Sequence, residues 1–193
     1  MSQLLATRQG DADSVAAADN TLVRGPGADR YLTFALAGAV YALGIPDITE
    51  IMEYRNLTTV PMMPSFIRGV INLRGRVVPV IDLGLRFGLG GTEIARRTSI
   101  IIVEAYDDQN GATTQQHIGL MVDAVNKVEH VTSADIEPPP AFGAGISSDF
   151  IAGMARHDDE FIIVLDAHRL LSLDESTLIQ QAALSAGQEA VQG

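Results

Sequence analysis

The side chains best suited to metal or acid–base chemistry in this 193-residue sequence are four histidines, at 117, 130, 157 and 168, and the acidic run Asp158-Asp159-Glu160. Imidazoles that share a metal from one helix stand four residues apart, and no His-x-x-x-His occurs. The acidic run, with Asp149 nearby, has carboxylates enough for a divalent cation but lacks the alternating ligand spacing of a calcium loop. A solvated hairpin tip accounts for it more simply. Glycines at 84, 88, 90 and 91 suggest a phosphate cradle, yet no Gly-Lys-Ser/Thr follows and the Gly-x-Gly-x-x-Gly spacing fails at Glu93. No serine lies in an elbow sequence. With no cysteine there is no thiol nucleophile, thiolate metal site or disulfide. The sequence thus predicts no catalytic residue, no metal and no cofactor. A small β-barrel metal-dependent enzyme using residues 158–160 stands as the competing class.

Arginine offers a different chemistry, recognition rather than reaction. Residues 55–97 hold seven arginines against only Asp82 and Glu93, a local balance of +5. With −11 overall, the other 150 residues carry −16. A protein this acidic does not suit a nucleic-acid partner. The asymmetry fits either one basic face for an acidic protein partner or arginines dispersed over several faces. Three of them mark one segment, IRGVINLRGRVVPVIDL at 67–83. Its runs Val70–Leu73 and Val77–Leu83 read as strands buried on both faces, joined by the turn Arg74-Gly75-Arg76. Planar guanidinium groups at the tip of a buried hairpin suit a docking element as well as a soluble turn.

The elements around this hairpin are mostly strands. From Asp29 onward the chain alternates short Val/Ile/Leu runs with turn signals, which predicts an all-β domain. YLTFALAG and VYALGI form a strand pair turning about Gly38. Thr98–Ala105 and His117–Asp123 read as a hairpin whose tip, the polar stretch 107–116 centred on Asn110-Gly111, is a long loop. Pro79 lacks an N–H and belongs at an edge or a bulge. Asp166 caps a short helical turn. Residues 1–28 have the composition of a disordered arm. Ser172 and Glu175 stand as in a capping box, and Leu178, Ile179, Ala182 and Ala183 follow at helical spacing, which predicts a C-terminal helix within 173–193. The longest uncharged stretch near the start has 16 residues and is broken by glycine and proline, too short for a membrane span, and no signal peptide precedes it. A cytoplasmic protein is expected. Periodicity alone leaves barrel and sandwich open.

In order along the chain, YLTFALAG, Pro46-Asp47-Ile48-Thr49-Glu50-Ile51, the 67–83 hairpin, HIGLMVDAVNKVEHV, Ile136-Glu137-Pro138, Phe142 and FIAGMARHDDEFIIVLDAHRLL resemble the CheW family of bacterial chemotaxis adaptors. The resemblance covers roughly residues 29–172 and implies two small five-stranded SH3-like barrels packed over an apolar seam, with a C-terminal helix. It implies a non-catalytic scaffold without cofactor, coupling the cytoplasmic tips of methyl-accepting chemoreceptors to the regulatory domain of the histidine kinase CheA. Any membrane association would be indirect, through the receptors. By position, Ile48, Glu50, Asn72 and Arg74 fall on the receptor side, and Phe142 and Leu178 on the kinase side. Each also fits a plainer role: Ile48 in the core, Glu50 solvated on a strand, Arg74 in the turn, Phe142 a buried anchor, and the helix of Leu178 packed on a barrel. Gly44 departs from the polar residue common there. The arm and the 107–116 stretch exceed a minimal domain, which fits an adaptor of a dedicated array. A second alternative is a regulator that binds a small ligand in the seam between the barrels.

Overall fold

The computed structural model describes residues 30–109, 112–139, 146–157 and 159–170. In chain order the strands are β1 (Arg30–Leu36), β2 (Ala39–Gly44), β3 (Ile48–Glu53), β4 (Ile67–Leu73) and β5 (Arg76–Asp82). A single helical turn, α1 (Leu83–Arg86), leads to β6 (Ser99–Gln109), β7 (Ala112–Val122), β8 (Ala124–His130) and β9 (Ile136–Glu137). The last two strands are β10 (Ile151–His157) and β11 (Glu160–Leu165). They divide into a five-stranded sheet, β3-β6-β7-β5-β4, and a sheet β8-β1-β2-β11-β10-β9, whose sixth member has only two residues. Each sheet curls into a small barrel. The first barrel is contiguous in sequence, whereas the second takes β1 and β2 from before it and β8 to β11 from after it.

Alternation along each strand explains the unbroken apolar runs. On β6, Ile100 and Ile102 face the interior of the first barrel with Met52, Ile71, Val78, Val80 and Met121. Ile101, Val103 and Ala105 point the other way, into a cluster shared with Phe34, Tyr41 and Leu43 of the second barrel. On β11, Ile162 and Val164 fill the second barrel while Ile163 and Leu165 join the shared seam. A strand with a core on each side has no polar face to show, so its sequence loses the period-two signature. Within the seam the rings of Phe34, Tyr41, Phe87 and Phe150 follow one another at centroid spacings of 5.9, 6.1 and 5.5 Å. Burial there pushes the Tyr41 hydroxyl above its ordinary pKa.

The first barrel closes where the chain after β3 meets β4. Thr58 and Val70 exchange backbone hydrogen bonds of 2.9 and 2.8 Å. Their close approach requires Gly69, because a Cβ there would overlap the Thr58 carbonyl, and its φ of +150° is open to glycine. Asp82, fully buried at the end of β5, accepts hydrogen bonds from the Leu85 and Thr92 amides and the Thr92 hydroxyl, at 3.0–3.3 Å.

Two expectations need correction. Residues 107–109 and 112–116 are strand, not loop: pairing of β6 with β7 continues through Asp107↔Thr114 to Gln109↔Ala112. Ladder hydrogen bonds come from the backbone, so polar side chains do not prevent them, and Asn110-Gly111 supplies the residue pair that two-residue hairpins favour. Pro79 is not at a bulge; the register shift of this hairpin falls at Arg68, between Ile67 and Gly69. Val70 directs its N–H and C=O toward Thr58, so Pro79, opposite Val70, turns its nitrogen away from β4. On that side the ladder to β7 begins only at Val80, and no bond is lost. The expected helical turn is present, as a 3-10 turn over Ala167–Arg169 with the Asp166 carboxylate accepting from the His168 amide. The arm 1–28 and the helix expected after Ser172 lie outside the described residues.

Candidate functional site

The tip of the β4–β5 hairpin consists of two residues. Leu73 pairs with Arg76, leaving Arg74 and Gly75 as the whole turn, at φ of 53° and 83°. Such a turn matches the twist of its strands but needs positive φ at both positions. Glycine adopts it freely, whereas an arginine there costs about 1–2 kcal/mol. The Asn72 side chain secures the turn, its Oδ1 accepting the Gly75 N–H at 2.8 Å. The Arg74 guanidinium, 79% exposed, crosses to β3 and stands 3.0 Å from Glu50 Oε2. That oxygen accepts no hydrogen bond among the described residues, so the contact is an ion pair without an aligned N–H. A pair this exposed stabilises a fold by about 0–1 kcal/mol, less than the turn costs. Folding alone therefore does not explain an arginine at this position.

Glu50, Asn72 and Arg74 thus meet at one end of the first barrel, although β3 and β4 are its outermost strands in sheet order. Ile48 lies two residues back on β3, opposite Val103 and next to a register shift, with its side chain half-buried against the seam. Phe142 and Leu178 lie outside the described residues. The arginines do not share one face. Arg74 lies in the tip and Arg76 opens β5 beside it, while Arg68 Nε lies 3.9 Å from buried Asp82. Arg55 and Arg97 adjoin Tyr54 and Thr98, whose backbone hydrogen bond marks the other end of β3.

Sequence reasoning passed over a second charged group, at the mouth of the second barrel. Glu129 of β8 is 2.6 Å from Lys127 Nζ and 3.4 Å from His157 Nε2 of β10. The Lys127 hydrogen bond holds the Glu129 carboxyl below its usual pKa, helped by the charges of Lys127, His157 and His130 and opposed by partial desolvation. The group borders a cleft of about 540 Å³ whose walls include Val40, Ile162 and Arg97. Beside it His157 pairs with Glu160, and Asp159 is tied to Arg156 at 3.1 Å. Among the described residues no three His, Asp or Glu side chains converge as a metal site would require. No helix among them is long and apolar enough to cross a membrane.

Comparison with known proteins agrees with this architecture. The model of the CheW-like domain matches residues 30–175. The chain belongs to the CheW family. The chemotaxis protein CheW of Klebsiella aerogenes is 31% identical over 155 residues, covering 80% of this chain and 89% of that protein. Protein FrzA of Myxococcus xanthus is 34% identical over 134 residues, covering 67% of this chain and 78% of its own length. The crystal structure of the scaffolding protein TtCheW from Thermoanaerobacter tengcongensis superposes with a TM-score of 0.67 at 39% identity, over 78% of this chain and 92% of that one. Family and fold together make this chain a chemotaxis adaptor, and they point away from catalysis.

Proposed function

We propose that this CheW-family chain works in the cytoplasm, coupling the cytoplasmic tips of methyl-accepting chemoreceptors to the regulatory domain of the histidine kinase CheA. The observation that carries the reading is Arg74, an exposed guanidinium held in a left-handed turn that returns too little to the fold to account for it. Asn72 fixes the turn, Glu50 pairs with the guanidinium from β3, and half-buried Ile48 lies two residues back on that strand. The kinase side is assigned to Phe142, which follows three prolines in the sequence, and to Leu178, both outside the described residues. The proposed division is an arm over 1–28, the two barrels over 29–172 and a helix and tail over 173–193, the first and last lying outside the described residues.

The test is pairwise binding of the full chain to receptor tip fragments and to the CheA regulatory domain, by calorimetry. Both are expected to bind. Phe142→Ala should weaken the kinase complex alone, by about 2 kcal/mol, the scale of an aromatic interface anchor. Its unfolding midpoint should stay near wild type, because truncating a core phenylalanine would instead cost about 3–5 kcal/mol of stability. Binding to neither partner refutes the proposal. The cleft beside Glu129 favours one other reading, a small-ligand regulator, which ligand-dependent thermal stabilisation without kinase binding would support.

A further inference from the structure

Arg86 closes α1, at the end of the first barrel's β5, yet most of its described contacts reach further. Its guanidinium carbon lies 4.8 Å from the centre of the Phe66 ring and 4.7 Å from that of Phe150. Its Nε–H donates to the Leu170 carbonyl at 3.0 Å. Phe66 belongs to the first barrel: its carbonyl accepts the Asp82 amide, between the two arms of the receptor-side hairpin. Phe150 and Leu170 belong to the second, in the turns that precede β10 and follow β11. Phe150 is further fixed by the Asp166 amide donating to its carbonyl, at 3.0 Å. One half-buried cation therefore joins two elements of one barrel to two of the other, with two cation–π contacts and a directed hydrogen bond.

We infer that Arg86 is a positioning residue that sets the orientation of one barrel against the other, and with it the geometry in which receptor and kinase are held together. The inference rests on the proposed function, in which receptor and kinase dock on separate surfaces of the two-barrel body. An adaptor of that kind needs a fixed angle between its two docking surfaces, beyond affinity for each partner. Most of the seam is aliphatic, and apolar contact is non-directional, so it tolerates small rotations at little cost. A planar guanidinium between two rings, with its Nε–H aimed at a carbonyl, does not. Lysine keeps the charge but loses the planar stack and the Nε donor.

The experiment uses Arg86→Lys and Arg86→Gln in the full chain. Each binary affinity, for a receptor tip fragment and for the CheA regulatory domain, should stay within about twofold of wild type, since both docking surfaces remain intact. Receptor-stimulated CheA autophosphorylation at saturating adaptor should fall by about fivefold or more, the lower end of a typical coupling between sites. Because the chain has no cysteine, spin labels at Asn56→Cys and Ala134→Cys report the distance between barrels directly. Their distance distribution should broaden in the Arg86 variants while the thermal transition remains cooperative. Wild-type autophosphorylation or an unchanged distance distribution in a folded variant overturns the inference. If Arg86→Gln fails to fold, Arg86→Lys is judged by the same criteria. A wild-type chain that binds neither partner would instead sink the functional proposal.

Discussion

Replacing Arg74 with glycine separates docking from folding, because the structure makes opposite demands on the side chain and the backbone. At φ 53° the backbone prefers glycine, so relief of the left-handed strain returns about 1–2 kcal/mol. Against this, glycine adds freedom to the unfolded chain, about 0.4–1 kcal/mol, and the exposed pair with Glu50 is lost, about 0.2–1 kcal/mol. These effects nearly cancel, and the net change in stability should lie within about 1 kcal/mol of zero. Binding to receptor tips should meanwhile weaken by about 1–2 kcal/mol, roughly fivefold to thirtyfold, as expected for an interface arginine. Urea unfolding gives the first quantity and calorimetric titration with a receptor tip fragment the second. Unchanged affinity would remove Arg74 from the docking site. A stability loss above about 2 kcal/mol would show that the hairpin tip is held chiefly by this side chain.

Gly69→Ala should destabilise by more than about 1 kcal/mol in urea unfolding, since a Cβ collides with the Thr58 carbonyl at the barrel closure; an unaltered midpoint would mean that the closure yields easily. Glu129→Gln tests the charged group at the mouth of the second barrel. A carboxyl held below its usual pKa adds stability above that pKa and loses it as pH falls through the lowered value. Wild type should therefore exceed the variant at about pH 7 and converge with it near about pH 3, and a gap independent of pH would refute the assignment.

What the sequence made legible is what local chemistry determines. Val77–Leu83 announced a strand buried on both faces, Gly38 a hairpin turn, and Asp166 a cap, and each is present. The extension of β6 to Gln109 and of β7 back to Ala112 escaped because polar side chains hide a ladder that the backbone makes. The shift at Arg68 escaped because it answers to Thr58, on another segment. Ile48, Glu50, Asn72 and Arg74 were named by family resemblance. Their spacing alone does not bring Glu50 to Arg74, since that contact exists only once β3 and β4 meet around the barrel. Arg86 gave no signal at all, because Phe66 and Phe150 are distant in sequence and converge on it only through the seam.

The split origin of the second barrel has a consequence for the order of events during synthesis. A ribosome that has released residues through Val122 has delivered every strand of the first barrel, which can close at once. The β1–β2 hairpin, made earliest, must wait: β1 pairs with β8 and β2 with β11, both still to be translated. During that interval Leu32, Phe34 and Tyr41 can cover themselves only against the finished neighbour. The first barrel is then a template, sheltering the β1–β2 hairpin from aggregation until its last strands arrive.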